Sequence, residues 1–360
     1  MSFVELKSIN KTFGKTTAVS NTNIRIEKGE FFSLLGPSGC GKSTTLRMIA
    51  GFIEPTDGQI LINGRDITHL PPEERGIGIV FQNYAIFPHM TVFDNIAFGL
   101  VERKIKKEII HEKVNHALTQ VGLEGFGERY ERELSGGQKQ RVALARVLVI
   151  EPEILLLDEP LSALDKKMRE EMKYWIKEIQ SAIGITTIYV THDQSEALTM
   201  SDRISVMNEG QLLQVGTPEE IYEMPSSRFI AEFIGNSNLL EITVVEKQGD
   251  QYVVNLGEGA EMLAQYSGSD QIPNNTRHHL LLRPELLRLF PNNTNEQPKL
   301  KGTISGEDYQ GALKRYKVTS EKHNLILEVP NRAELTGLKK DDEVSVYWDE
   351  HSAVIILSDA

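Results

Sequence analysis

A glycine-rich segment near the N-terminus has the residue types needed to hold phosphate groups. It follows the apolar run Phe31 to Leu35 and comprises Gly36, Pro37, Ser38, Gly39, Cys40, Gly41, Lys42, Ser43 and Thr44. Glycines allow the backbone to form a nest of inward-facing N–H groups, and a following helix adds a positive end. Lys42 would contact the terminal phosphates and Ser43 would offer a hydroxyl to Mg²⁺. We call residues 36–44 the phosphate loop; the alternative is a structural turn before a helix.

Two carboxylates follow a second apolar run, at the point where a buried strand is expected to end. Asp158 and Glu159 come directly after Ile154 to Leu157, and a parallel sheet presents groups to its ligand at the carboxyl ends of its strands. Asp158 would hold Mg²⁺, directly or through water, and Glu159 would orient and deprotonate the water that attacks the γ-phosphate. Acidic pairs at strand ends also cap loops, but their occurrence together with a phosphate loop favours phosphoryl chemistry.

A second glycine-rich turn also precedes a helical pattern. Leu134, Ser135, Gly136, Gly137 and Gln138, here called the signature segment, lead into the run from Lys139 to Val149. The chain therefore has two helix N-termini that suit phosphate, although a single nucleotide rarely requires both.

Composition narrows the class of protein. The chain has 360 residues, 40% of them hydrophobic, 25% charged and only one cysteine, with a formal net charge of -12. This is typical of a globular protein of two or three domains, and the scattered Lys and Arg residues do not favour nucleic-acid binding. No apolar run is long enough to span a bilayer and the N-terminus lacks a signal pattern, so a soluble, cytosolic protein is expected. The single cysteine, Cys40, is compatible with a reducing compartment and is expected to be a small packing residue.

The sequence divides into a first part that alternates strand and helix patterns and a second part of short strands. Buried parallel strands are predicted at Phe31 to Leu35, Ile154 to Leu157, Ile185 to Val190 and Ile204 to Met207. After residue 238 one β-barrel or a pair of barrels is predicted, with strands at Leu239 to Glu246, Gln251 to Leu256, His279 to Arg283, Leu325 to Val329, Val344 to Trp348 and Val354 to Leu357. The predicted domains are residues 1–237, with a helical part at about 83–150, and residues 238–360.

The order of the motifs resembles that of the ATP-binding-cassette family. The matching segments are the phosphate loop, the signature segment, Asp158 with Glu159, Ser162 to Asp165, and Thr191 to Asp193. The resemblance implies an α/β P-loop nucleotide hydrolase cassette with a helical subdomain, and an ATPase that requires Mg²⁺. It also implies a homodimer in which the signature segment of each copy closes over the ATP bound to the other.

The resemblance assigns roles to individual residues. Ser135, Gly136, Gly137 and Gln138 would contact the nucleotide of the second copy, and Asp165 would bridge the two copies. Gln82 would reach Mg²⁺ and the attacking water, and His192 would contact the γ-phosphate. Phe13 would stack on adenine, although a lone aromatic residue in a first hairpin is also compatible with the core.

Two further segments indicate what the ATPase drives. Tyr84 to Phe93 resembles the groove that receives a short helix of the membrane-spanning subunit in transporters of this family. Leu281 to Glu285 resembles the hallmark of the oligonucleotide-fold-like (TOBE) regulatory domain of importer ATPases, so the smaller all-β domain is expected to be OB-like. The implied protein sits on the cytoplasmic face of the membrane, bound to two permease subunits and served by an extracytoplasmic binding protein.

The residues around Thr191 to Arg203 and Phe233 to Asn236 resemble the polyamine group most closely. Spermidine or putrescine import is therefore expected, with ferric iron or phosphonate import by the same mechanism as the alternative. A soluble cassette ATPase that acts on nucleic acid or ribosomes is disfavoured, because such proteins usually carry two cassettes or a long coiled coil. A P-loop kinase would not explain the signature segment, and the β-rich tail favours an importer over an exporter.

Overall fold

A computed structural model describes residues 2–257, 261–266, 268, 270–291, 299–320, 322–331, 338–349 and 352–358. Contacts divide the chain into a first unit, Met1–Pro218, and a second unit, Glu219–Ala360. The sequence-based domain boundary between residues 237 and 238 stays a prediction. Within the described residues, no helix combines the length and the apolar character that crossing a bilayer requires.

The described residues of the first unit form two sheets and six α-helices. Its strands are β1 (Val4–Phe13), β2 (Thr16–Ile26), β3 (Phe31–Leu35), β4 (Asp57–Ile62), β5 (Arg65–Asp66), β6 (Ile77–Val80), β7 (Ile154–Asp158), β8 (Thr186–Thr191), β9 (Arg203–Asn208) and β10 (Gln211–Gly216). Its helices are α1 (Lys42–Ala50), α2 (Val92–Glu102), α3 (Lys107–Gln120), α4 (Gly136–Leu148), α5 (Lys166–Ile183) and α6 (Gln194–Met200).

The larger sheet of the first unit positions the candidate site. Its order is β10-β9-β3-β8-β7-β6, and every pair except β9 with β10 is parallel. Every residue of β3, β7 and β8 is buried, which is why these strands are continuous apolar or β-branched runs in the sequence. The four predicted parallel strands are confirmed, and because they run in one direction their carboxyl ends meet at one edge.

Of the second sheet of the first unit, the sequence suggested only a first hairpin at Phe13, without strand bounds. It is antiparallel, in the order β2-β1-β4-β5. Its strands are buried at some positions and exposed at others, and the β1–β2 pairing contains register irregularities. Partly exposed strands are recognised by a period-two alternation of apolar and polar residues, and the register irregularities interrupt that alternation here.

Three helices form a separate cluster between β6 and β7 in the chain. The apolar faces of α2, α3 and α4 pack together through residues such as Ile96, Val114 and Val142. The signature segment lies where α4 begins. The extent of a helical subdomain at about 83–150 stays a prediction.

The second unit is mainly β-structure, preceded by two short helices. The helices are α7 (Pro218–Glu223), which begins at the boundary, and α8 (Arg228–Phe233). The strands are β11 (Asn238–Gln248), β12 (Gln251–Asn255), β13 (Glu261–Ala264), β14 (Arg277–Leu282), β15 (Arg288–Pro291), β16 (Leu300–Tyr309), β17 (Leu313–Thr319), β18 (Asn324–Pro330), β19 (Glu343–Tyr347) and β20 (Val354–Ile356). They form two five-stranded sheets, β13-β12-β11-β14-β20 and β15-β19-β16-β17-β18, around one apolar core that includes Ile242, Tyr316 and Trp348.

Candidate functional site

The phosphate loop connects β3 to α1, and its glycines are required by the backbone geometry. Gly39 and Gly41 have φ angles of 81° and 106°, in the left-handed region that glycine adopts without strain. A Cβ atom at Gly41 would lie 2.5 Å from the carbonyl oxygen of Ala18, and one at Gly36 would lie 2.2 Å from that of Met207. These positions therefore exclude any side chain, as a tight phosphate cradle requires.

Lys42 is the first residue of α1, and its side chain is buried within the phosphate loop. The residue is 4% exposed, and its Nζ donates to the carbonyl oxygens of Gly36 and Pro37 at 2.8 and 2.9 Å. Across the described chain, no carboxylate forms a salt bridge with this ammonium group. A buried cation is costly without a counter-charge, so the loop is suited to receive an anion.

Cys40 packs into the core beneath the loop. It is buried among the apolar residues of the first unit, and burial raises the pKa of its thiol. Because the thiolate is the reactive form, these surroundings favour the predicted packing role.

Ser43 and Asp158 meet at the end of β7. The Ser43 hydroxyl donates to Asp158 Oδ1 at 3.1 Å. Burial raises the pKa of the Asp158 carboxyl, an effect opposed by the Ser43 hydrogen bond and by Arg47. Hydroxyl and carboxylate oxygens suit Mg²⁺, although the described residues contain no group of three or more His, Cys, Asp or Glu suited to a metal ion. The donor set fits an ion that takes its remaining ligands from phosphate and water.

Glu159 and His192 lie side by side after β7 and β8. His192 Nδ1 is 3.1 Å from Glu159 Oε2, and the backbone N–H of Glu159 donates to the carbonyl of Val190 at 3.0 Å. The φ angle of Glu159 is 46°, which is uncommon for a residue with a side chain and is typical of functional positions. The structure thus brings Glu159 and His192 together, two residues for which the sequence analysis predicts roles in ATP hydrolysis.

Gln82 follows β6 and is linked to the same loop. Its Nε2 donates to Ser162 Oγ at 3.1 Å, and the Ser162 hydroxyl donates to the carbonyl of Glu159 at 2.9 Å. An open cavity of about 660 Å³ adjoins these groups and is lined by Arg47, Phe81, Gln82, Asn83, Ala85, Asp158, Ser162 and Ala163. Sequence reasoning missed the linking role of Ser162, although it lies within the Ser162 to Asp165 motif.

The signature segment forms the start of α4. The Ser135 hydroxyl accepts from the backbone N–H of Gln138 at 3.3 Å, and the Gln138 side chain accepts from the backbone N–H of Ser135 at 2.9 Å. This reciprocal capping box fixes the helix N-terminus. Gly136 and Gly137 pack closely on Leu164 and Met168. Over the described residues, no hydrogen bond joins the signature segment to the phosphate loop of the same chain.

Asp165 and Phe13 lie outside these clusters. The Asp165 carboxylate accepts from the backbone N–H of Met168 at 2.9 Å and thereby caps α5. Phe13 ends β1 and is 50% exposed, with the ammonium of Lys11 4.9 Å from its ring centroid. The core alternative for Phe13 therefore does not apply, and stacking of its ring on adenine stays a prediction.

Comparison with known families identifies two segments. Residues 19–162 match the family described as ABC transporter, and residues 280–356 match the TOBE domain. The predicted fold class, an α/β cassette followed by a smaller all-β domain, is thereby confirmed.

Curated relatives cover nearly the whole chain. A spermidine/putrescine import ATP-binding protein, PotA of Rubrobacter xylanophilus, is 45% identical over 98% of this chain and 93% of its own length. PotA of Thermotoga maritima is 42% identical over 98% and 97%. The Fe(3+) ions import ATP-binding protein FbpC of Agrobacterium fabrum is 45% identical over 90% of each chain.

Solved structures match the cassette. The structure of cbiO1 from Clostridium perfringens, part of the ABC transporter complex cbiONQ, is 34% identical with a TM-score of 0.58, covering 61% of this chain and 90% of that one. The ATP-binding cassette MJ0796, a dimeric post-hydrolysis structure bound to ADP and Pi, is 34% identical with a TM-score of 0.54, covering 60% and 98%. Taken with the curated relatives and the geometry of the phosphate loop, these matches show that the chain belongs to the ATP-binding cassette (ABC) transporter family.

Proposed function

We propose that this chain is the ATP-hydrolysing subunit of an ABC importer and that it drives polyamine uptake as a homodimer bound to two permease subunits. The observation that carries the proposal is the edge of the larger sheet, where Lys42, Ser43, Asp158, Glu159 and His192 follow three neighbouring strands. Near full-length similarity to import ATP-binding proteins supports the same conclusion.

The cluster has the groups that ATP hydrolysis requires. Lys42 is a buried cation without a carboxylate partner in the described part of the chain, and it would receive the terminal phosphates. Ser43, Gln82 and Asp158 would hold Mg²⁺, which neutralises phosphate charge when bound. Glu159 would orient the attacking water and accept its proton, while His192, 3.1 Å away, would hold Glu159 and contact the γ-phosphate.

The placement of the signature segment supports a homodimer. The signature segment presents an N-terminal turn with small residues, but in the described chain it makes no hydrogen bond to the phosphate loop. Residues 135–138 of a second copy would complete the site, and ATP would hold the two copies together until hydrolysis separates its phosphates. The solved relative MJ0796 is itself described as dimeric with ADP and Pi. In this arrangement Asp165 would bridge the copies and Phe13 would stack on adenine.

A substitution of the proposed base tests the ATPase. In Glu159→Gln, MgATP hydrolysis should fall by about a thousandfold, the range expected for a lost general base. ATP-dependent dimerisation, measured by light scattering, should persist. Glu178→Gln, an exposed carboxylate on α5, is the matched control and should retain the full rate. Full turnover in Glu159→Gln would refute the assigned base.

Cargo is tested in vesicles that contain the chain, its permease subunits and the external binding protein. Spermidine and putrescine uptake is favoured because the PotA relatives are 42–48% identical to the chain. Ferric iron is the second candidate, because FbpC of Agrobacterium fabrum is also 45% identical. ATP-dependent accumulation of radiolabelled spermidine should exceed that of ferric iron. The reverse order would replace the cargo and leave the ATPase proposal intact.

A further inference from the structure

Arg169, a residue of α5 with no assigned role, contacts two loops that carry proposed site residues. Its Nη2 donates to the carbonyl oxygen of Leu164 at 3.1 Å, and its Nη1 donates to Asp193 Oδ2 at 3.2 Å. Leu164 directly precedes Asp165, and Asp193 directly follows His192. One guanidinium group therefore joins the loop of Asp165 to the loop of His192.

A buried carboxylate extends this connection to the other side of His192. Glu196 Oε1 lies 3.8 Å from Arg169 Nε, and Glu196 Oε2 accepts from the hydroxyls of Tyr189 and Thr191 at 2.8 and 2.6 Å. The Thr191 hydroxyl also accepts from the backbone N–H of Asp193 at 2.9 Å. Both neighbours of His192 in the chain thus belong to a hydrogen-bonded network that includes Arg169.

Within the described residues, the two lysines on the same face of α5 make no contact with the loop of Asp165. Lys173 and Lys177 follow Arg169 at intervals of four, so the three side chains lie in one row on the helix. Lys173 Nζ donates to Ser195 Oγ at 2.9 Å, and Lys177 Nζ pairs with Asp202 Oδ1 at 2.8 Å. These contacts attach α5 to α6 and the residues after it without involving residues 164–165.

The guanidinium group is the feature that allows two loops to be held at once. Its donors form a planar fork that can address two acceptors in fixed directions, whereas an ammonium group is a single point charge on a flexible stem. The partly exposed ion pair of Arg169 with Asp193 contributes little to stability by itself. Its expected contribution is to hold the two loops in position, because a displacement of about 1 Å in a reacting group can slow a reaction about a hundredfold.

We propose that Arg169 is a positioning residue for ATP hydrolysis, which fixes the loop of Asp165 against the loop of His192. This inference rests on the proposed function. Asp165 is expected to meet the second copy. A movement of the Asp165 loop when the dimer closes would therefore be transmitted to the His192 loop through the hydrogen bonds of Arg169. Arg169 thereby couples formation of the dimer to the alignment of His192 and Glu159.

Steady-state ATPase kinetics of the full chain test the inference. Arg169→Gln removes the fork but keeps a polar side chain, and its kcat should fall at least about tenfold, with KM for ATP within about twofold of wild type. Arg169→Lys should remain impaired, because one ammonium cannot hold both loops. Lys177→Gln is the matched control: Lys177 is 31% exposed against 30% for Arg169 and also forms an ion pair, and its kcat should stay at the wild-type value.

A second variant guards against a folding defect in Arg169→Gln. Asp193→Asn preserves the size of the side chain and the capping of α6 but weakens the pairing with Arg169. It should lower kcat with little change in KM and in Tm. A wild-type kcat in Arg169→Lys, or in both Arg169→Gln and Asp193→Asn, would overturn the inference, as would a loss confined to KM.

The failure of this inference can be distinguished from failure of the proposed function. If wild-type hydrolysis disappears in Glu159→Gln while Arg169→Gln matches Lys177→Gln, only the role of Arg169 is wrong. If the wild-type chain shows no hydrolysis that depends on Glu159, the proposed function itself is wrong and Arg169 loses its proposed role with it.

Discussion

Lys42 in the first unit and Arg283 in the second unit are both buried cations within recognisable motifs. Lys42 is 4% exposed and Arg283 is 3% exposed. Both side chains donate to backbone carbonyl oxygens. They differ in where those carbonyls lie in the chain, and this difference separates a side chain suited to a ligand from one that stabilises the fold.

The acceptors of Lys42 are local, whereas those of Arg283 are distant. Among the described residues, the Lys42 ammonium donates within its own loop, to the carbonyls of Gly36 and Pro37 and, at 3.9 Å, to Cys40 Sγ. Arg283 donates to carbonyls around the two short helices of the second unit, which belong to Tyr222, Ala231, Ile234 and Asn236. Its guanidinium carbon also lies 4.1 Å from the centroid of the Tyr222 ring. Lys42 can exchange its partners for phosphate oxygens without disturbing other elements, but Arg283 cannot leave its partners without releasing α7 and α8.

The largest effect on stability is therefore expected at Arg283. Arg283→Met leaves several buried carbonyl oxygens without donors, and the unfolding free energy of the second unit should fall by about 3 kcal/mol. Urea unfolding followed by Trp348 fluorescence measures this directly in a Trp175→Phe background, because the chain has two tryptophans and Trp348 is buried in the second core.

Arg288→Met is the control for the loss at Arg283. Arg288 is 53% exposed and pairs with the exposed Asp349, so its removal should change stability by less than about 1 kcal/mol. Equal losses in the two variants would contradict the tethering role of Arg283. ATP affinity should be unchanged in both variants, because Arg283 and Arg288 make these contacts within the second unit.

Substitution of Lys42 should weaken ATP binding and leave the unfolding free energy nearly unchanged, which is the reverse of the result expected at Arg283. In Lys42→Met, ATP affinity should fall by about 30- to 100-fold, the value of a lost charge-assisted hydrogen bond. The unfolding free energy of the first unit should change by less than about 1 kcal/mol, because the described partners of the Lys42 ammonium all lie in its own loop. Affinity is measured by calorimetry, and unfolding by Trp175 fluorescence in a Trp348→Phe background.

Lys28→Met is the control for Lys42→Met. Lys28 is an exposed lysine of the same unit, and its substitution should change neither ATP affinity nor the unfolding free energy. Unchanged ATP affinity in Lys42→Met would remove the argument for a phosphate cradle.

The two cations also show which features a sequence reveals. The phosphate loop was predictable because its chemistry is local: the glycines, the lysine and the preceding apolar strand are contiguous. The strands β3 and β7 were found for a related reason, since burial on both faces produces continuous apolar runs. The partly exposed strands β1 and β2 have no such run, so their bounds were not predicted, although Phe13 was placed in a first hairpin.

Long-range contacts could not be predicted. The motif around Arg283 was recognised by resemblance, yet its role depends on carbonyls 47 to 61 residues away. The pairing of Arg169 with Asp193 spans 24 residues and likewise leaves no periodic pattern. Positions of this kind follow from tertiary packing, so only coordinates disclose them.

The smallest effect is expected from loss of the Tyr222 hydroxyl. Two substitutions of Tyr222 separate its hydrogen bond to Glu285 from the contact of its ring with Arg283. The hydroxyl donates to Glu285 Oε1 at 2.6 Å, and burial together with Glu285 raises the pKa of Tyr222. Tyr222→Phe removes this bond but keeps the ring beside Arg283. Because Glu285 is exposed and regains water, the unfolding free energy of the second unit should fall by only about 0.5 kcal/mol.

Tyr222→Leu removes the ring as well as the hydroxyl and should cost at least about 1 kcal/mol more than Tyr222→Phe, through lost cation–π contact and lost packing. Both variants are measured by Trp348 fluorescence in the Trp175→Phe background. If Tyr222→Phe destabilises the second unit as much as Tyr222→Leu does, the hydrogen bond to Glu285, and not the ring, is what Tyr222 contributes beside Arg283. The comparison with Lys42 would then change, because the buried cation of the second unit would depend on an exposed carboxylate as well as on backbone carbonyls.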